Sequence, residues 1–225
     1  MRGPAPHRRS RTRILPRYDP GRVHVFHYHL VTSKVRLVEA RYIGKLGFGL
    51  VARYGWVGEN AHWFEAGVSW EELEEIGFRL RLVELGRGAI NVVVQPGHWE
   101  RPRVDHIGIA LDEDGYAAAL ERAEELRLKV QDHPGKRTFI ATDAGYRLEV
   151  HPPREWIEDA LEQADDLALA EIHLRAESPK AKARALAEVL ELEREDGEVM
   201  VGETLVRFLP GGPEGRPELA GEVLR

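Results

Sequence analysis

What most limits the folds open to this chain is an internal repeat. The stretch FHYHLVTSKVRLVEARYIGKLGFGLVARYG (Phe26–Gly55) and the stretch DHIGIALDEDGYAAALERAEELRLKVQDHPG (Asp105–Gly135) follow one plan: strand, polar turn, amphipathic helix, leucine-rich helix end, second strand. Aligning the two plans sets His27 on His106. The step from that histidine to the leucine closing the helix is 19 residues in the first unit (His27 to Leu46) and 20 in the second (His106 to Leu126). A third copy, AEIHLRAESPKAKARALAEVLELEREDG (Ala170–Gly197), again takes 19 residues from Glu171 to Leu190. Three units of one kind are implied.

Each unit's helix follows from its apolar spacing. Val35, Val38, Tyr42 and Leu46 recur at steps of three and four, and Gly47 then ends the helix as a C-terminal cap. Tyr116, Ala119, Leu120, Ala123 and Leu126 form the second stripe. In the third unit Ser178 is the expected N-cap, with Pro179 in the first turn, ahead of Ala183, Leu186, Ala187 and Leu190. Strands are expected after each helix: FRLRLVEL and AINVVVQP, then RTFIAT and YRLEVHP, then EVMVG, TLVRFLP and LAGEVL. The first unit carries an excess, WVGENAHWFEAGVSWEELEEIG, where Ser69 and Glu72 predict a capping box on one short helix. The repeated order is β-α-β-β-β.

Composition narrows the chemistry. The chain has 225 residues, a formal net charge of −6 and no cysteine. Thiolate nucleophiles, disulfides and cysteine zinc sites are therefore excluded, and any metal must be held by His, Asp or Glu. Acidic residues are scattered rather than massed, so no nucleic-acid partner is expected. No segment reaches the 18 or so apolar residues of a membrane span. Residues 1–21 read as a basic, proline-rich arm without the apolar run of an export signal, and the expected location is cytoplasmic.

The motifs DHIGIAL, with His106 on a first strand, LGF at Leu46–Phe48 and the closing DAGYRLEVHPP together resemble the vicinal oxygen chelate superfamily of glyoxalases, bleomycin-resistance proteins and type I extradiol dioxygenases. The resemblance covers residues 23–153 and, by pattern alone, 167–225. It implies an α+β fold of repeated βαβββ modules, two of them paired into a cupped mixed sheet around a metal site, with a third, degenerate module. The corresponding divisions are module 1 at 22–100, module 2 at 101–152, a helical linker at 153–166 and module 3 at 167–225.

Independently of that resemblance, three residues are out of place in apolar strands. Alternation puts His106 on one face with Gly108 and Ala110, and Glu149 on one face with Arg147 and His151. A buried His or Glu costs several kcal/mol unless it is paired or ligates a metal. Singly each reads as an ordinary polar strand residue. Jointly His27, His106 and Glu149 make a 2-His-1-carboxylate set, with His29 as the alternative to His27. Fe(II) or Mn(II) is the expected ion, with Ni, Co or Zn as alternatives.

Compared with the families it resembles, the chain has Val93 where a glyoxalase would place a fourth ligand. It has Asn91 where an extradiol dioxygenase would place a catalytic histidine, and His133 only near that family's other histidine. Three readings follow. One is a dioxygenase-type metalloenzyme acting on a small oxygen-chelating substrate. Another is a glyoxalase-type lyase or isomerase, with Glu65 as the proton-moving carboxylate. The last is a metal-free binding protein of the bleomycin-resistance kind, with a groove lined by Trp56, Trp63, Trp70 or Trp99. In the third module Glu171 takes the histidine's place and Glu222 is expected near the place of Glu149. An odd number of modules leaves one sheet face or edge uncovered, so a homodimer is expected.

Overall fold

The computed structural model describes residues 23–133, 137–154, 157 and 167–225. The N-terminal arm and most of the 153–166 linker lie outside them. The first unit runs β1 (His24–Thr32), α1 (Val35–Leu46), β2 (Gly49–Val57), β3 (Asn60–Phe64), α2 (Trp70–Glu75), β4 (Phe78–Arg87) and β5 (Ile90–Pro96). The second runs β6 (Arg103–Ala110), α3 (Glu113–Glu125), β7 (Lys129–His133), β8 (Arg137–Ala141) and β9 (Arg147–His151). The third runs β10 (Leu169–Arg175), α4 (Pro179–Leu190), β11 (Arg194–Glu195), β12 (Glu198–Val201), β13 (Thr204–Leu209) and β14 (Glu218–Leu224).

The helix ends follow local chemistry. Gly47 adopts φ 70°, and its N–H donates to Tyr42 O, which closes α1. Ser69 and Glu72 form the reciprocal capping box on α2. Asp112 caps α3 by accepting from Gly115 N. Ser178 holds the N-cap position of α4, but its hydroxyl makes no capping bond; Pro179 starts that helix by its fixed φ alone.

The fourteen strands among the described residues join one curved, open mixed sheet. Within each unit the first and last strands run parallel: β1 with β5, β6 with β9, β10 with β13. The remaining strands add outward in antiparallel order, giving β1-β5-β4-β2-β3, β6-β9-β8-β7 and β10-β13-β12-β11. The first two units meet through antiparallel pairing of β1 with β6. Tyr28, Leu30, Val92, Val94, Ile107, Ile109, Leu148 and Val150 turn to the helix-covered side and form the core with Val38, Tyr42 and Ala123. A buried ion pair, Arg53 with Glu39, ties β2 to α1 on that side. No helix among the described residues is long and apolar enough to cross a membrane.

Two bulges break the β1–β6 ladder, at Phe26 and at Asp105. A bulge inserts one extra residue and resets the alternation. Phe26 packs with Ala110 and with Ile157 of the linker rather than in the main core.

The third unit corrects the sequence reading. TLVRFLP, as β13, already closes the unit by its parallel pairing with β10, so LAGEVL is not the closing strand. As β14 it lies antiparallel to β10, with shifts at Ala170 and Ala220 that match those at Phe26 and Asp105. It therefore occupies the place a neighbouring unit's first strand would take. Glu222 accordingly does not correspond to Glu149: it pairs with Ile172 and bonds Arg41 of α1 at 2.8 Å.

Candidate metal centre

The register of β1, β5, β6 and β9 brings the polar residues together. His29 stands directly opposite His106, and His27 opposite Gly108. A Cβ on Gly108 would lie 2.6 Å from the Cβ of His27, so only glycine lets that imidazole lie across β6. His27, His29 and His106 each offer a ring nitrogen within 4.8 Å of the others. The Nε2 atoms of His27 and His106 are 3.2 Å apart. Glu149 Oε2 lies 2.9 Å from His106 Nε2, and its other oxygen accepts from His151 Nε2 at 2.9 Å. Donors about 2.1 Å from one ion and at right angles around it would sit about 3.0 Å apart, close to both of these spacings.

The outer nitrogens are committed elsewhere. His27 Nδ1 meets Asn91 Oδ1 at 2.8 Å, and Asn91 Nδ2 donates to Glu84 Oε1 at 2.8 Å. His106 Nδ1 meets Asp105 Oδ2 at 2.8 Å. An acceptor on Nδ1 leaves the Nε2 lone pair facing inward, the arrangement by which surrounding residues orient metal-binding histidines. His29 Nε2 is buried and has no hydrogen-bond partner, and Glu149 Oε2 is buried with His106 Nε2 as its neighbour. Burial, reinforced by the neighbouring His106, lowers His27 to about 4 and His29 to about 3, so both rings are neutral ligands at neutral pH. Burial also opposes the charge on Glu149, but His106 and His151 outweigh it and hold the carboxyl well below the usual range. This donor set fits a divalent ion: neutral imidazoles at His27 and His29, an ionised carboxylate against His106, and a buried His29 Nε2 without a hydrogen-bond partner.

The structure sorts the sequence candidates. His27, His29 and His106 cluster, and Glu149 lies against His106. Asn91 touches His27 as a holder of its ring and offers no proton-accepting group. Val93 is buried opposite His29, leaving no carboxylate at that point. Glu65 is not brought to the cluster: it is exposed just past β3, the outermost strand of its unit. His133 ends β7, and its side chain lies outside the described residues. Trp56 lies partly buried on β2, and Trp70 lines a groove of about 470 Å³ between α1, α2 and β4. Trp70 stacks under Arg36 and Arg53, Trp63 is 60% exposed, and Trp99 lies beside Arg103 and Arg216. Sequence reasoning missed Asp105, because strict alternation turns it away from His106; the bulge brings it back.

No family model matches the chain, and no curated protein sequence does either. Solved structures do. A triple mutant of 4-hydroxymandelate synthase from Streptomyces coelicolor superposes with a TM-score of 0.55 at 11% identity, covering 84% of this chain and 63% of that one. The 2,3-dioxygenase LapB from Pseudomonas sp. KL28 gives 0.51 at 11% identity, over 86% and 72%. These likenesses show the fold alone: the arrangement of repeated βαβββ units is shared with those dioxygenase and synthase structures. A hypothetical protein from Staphylococcus aureus matches with a TM-score of 0.52 at 6% identity, over 90% of both chains. The chain spans less than two thirds of the mandelate synthase.

Proposed function

We propose that the chain is a metal-dependent enzyme of dioxygenase type, in which His27, His106 and Glu149 hold Fe(II) or Mn(II). The observation that carries this reading is the pair of converging Nε2 atoms, each with an acceptor on Nδ1, beside the buried Glu149 Oε2, 2.9 Å from His106 Nε2. His29 adds a third nitrogen at the same point, or takes the place of His27. When bound, such an ion supplies Lewis acidity and open adjacent positions for two substrate oxygens and O₂. Asn91 and Asp105 hold the imidazole planes. Phe139, edge-on to His106 with centroids 5.0 Å apart, and Phe26, edge-on to His151 at 5.4 Å, wall the cluster with apolar rings that keep water from it. A small substrate with two adjacent oxygens would suit such a site, and a reaction that places both atoms of O₂ in the product would need no external reductant.

The lyase reading needs a further carboxylate, which neither Val93 nor the exposed Glu65 supplies. The metal-free binding reading does not account for the converging histidines and Glu149. The test has two arms: metal content by mass spectrometry for the native protein beside a His106→Ala, Glu149→Ala double variant, and oxygen uptake by the iron-loaded protein across catechols and 2-oxo acids. Metal in the native protein alone, with uptake on one substrate class, supports the proposal; equal metal in both proteins refutes it.

A homodimer belongs to the same proposal. Met200, Leu205, Glu171 and Val223 form one row across β12, β13, β10 and β14. Met200 and Val223 are 50% and 43% exposed, and β14 is paired to β6 only through Glu218 with Arg103. A second copy laid on that face would cover it, and light scattering at the monomer mass would refute this.

A further inference from the structure

The third unit contributes to the metal centre through a side chain that lies in none of its strands. Asp105, the bulged residue that holds His106, is itself gripped on both oxygens. Arg147 bonds Oδ2, and Arg216, from the loop between β13 and β14, reaches Oδ1 at 2.5 Å. That loop is fastened to the start of β6: Val104 N donates to Pro217 O at 2.8 Å, Leu219 N to Pro102 O at 2.9 Å, and Arg103 Nη1 to Arg216 O at 3.1 Å. On its other side the buried Lys182 of α4 donates to Gly215 O at 2.5 Å and to Ala144 O. One ammonium therefore clamps the loop that carries Arg216 against the loop that leads into Arg147 and Glu149. Gly145 and Gly215 are also close: a Cβ on Gly145 would meet the Gly215 carbonyl carbon at 2.7 Å. A carboxylate with one cation on each oxygen cannot rotate away from its third partner.

Resting on the metal-site reading above, we infer that Arg216 is a positioning residue. It locks Asp105 so that His106 presents Nε2, and the third unit is thereby a working part of the centre rather than an appendage. Metal-free full-length protein titrated with Co(II), read by calorimetry and by the visible absorption of the bound ion, tests this. Asp105→Asn should weaken Co(II) binding about 10- to 100-fold, and Arg216→Met about 3- to 10-fold with a changed absorption band. Arg216→Lys should restore much of the affinity. Arg101→Gln, which removes a neighbouring ion pair to Glu218 at 3.2 Å without touching Asp105, should change neither readout. Thermal melting of each variant separates positioning from loss of fold. Wild-type affinity and spectrum in Arg216→Met, with Asp105→Asn impaired, overturns the role given to Arg216 and leaves the metal site standing. Failure of the unaltered protein to bind Co(II) overturns both.

Discussion

Replacing Gly108 by alanine tests the geometry of the centre with one methyl group. The added carbon would sit 2.6 Å from the Cβ of His27, and 3.1 Å from both its Cδ2 and the Cζ of Phe26. Ordinary carbon contacts begin near 3.4–3.5 Å, so His27 and β6 must separate by about 0.8 Å. The nearest atom is a Cβ rather than the tip of a flexible chain, so the strands themselves have to move. Overpacking of this kind costs about 1–3 kcal/mol. For a chain of this size that corresponds to a fall in Tm of about 2–12 °C. The same shift opens the 3.2 Å gap between the His27 and His106 nitrogens, and metal affinity should fall about tenfold or more. Gly44→Ala serves as control: it lies within α1 with nothing inside 4 Å, and it should stabilise by about 0.5–1 kcal/mol without touching metal uptake. Scanning calorimetry and Co(II) titration of both variants decide the matter. A Gly108→Ala protein with native Tm and native affinity would refute the packing argument.

Three further outcomes are expected. Glu39→Ala should cost about 3–5 kcal/mol by leaving Arg53 buried and unpaired, whereas the double change Glu39→Leu, Arg53→Met should cost far less in denaturant titration. Burial raises the Glu222 carboxyl against the opposing pull of Arg41, so the folded chain binds that proton more tightly than the unfolded chain. The associated stability is present below the ordinary value of 4.5 and is lost as pH rises through the raised one; Glu222→Gln should therefore raise Tm at pH 7–8, with the gain shrinking as pH falls toward 4.5. Metal analysis should find one ion per chain; two would contradict the reading of the third unit as donor-poor.

Much of the architecture was legible because it rests on local chemistry. Apolar spacing and caps fixed α1 to α4, and β-branched runs bounded by turn residues marked β4, β5, β8 and β9. His27, His106 and Glu149 stood out as polar residues in apolar strands. What stayed hidden depends on long-range register. A bulge has no dependable single-residue signature, and strict alternation turns Asp105, adjacent in sequence to His106, to the opposite face. Arg216 lies in a loop more than a hundred residues from the carboxylate it grips, and only the docking of the third unit brings it there. LAGEVL had every property of a strand, but nothing local distinguishes a closing strand parallel to β10 from a neighbour's strand antiparallel to it.

The third unit shows which features belong to the fold and which to the chemistry. Both ladders, β1 with β6 and β10 with β14, break at corresponding points, yet the extra residues are Phe26 and Asp105 in one and Ala170 and Ala220 in the other. Residues so unlike cannot be what causes the break, so the bulges follow from the way first strands meet. At the matching positions Glu171 replaces His27, Gly221 replaces His106, and Leu205 replaces Asn91, while His173 still matches His29. Glu171 there bonds His173 at 2.6 Å and is half open to solvent, so its charge is already satisfied. The cradle was kept and the donors were not. Among the described residues, the cradle, two converging imidazoles and the acceptors that hold them come together only at the junction of the first two units.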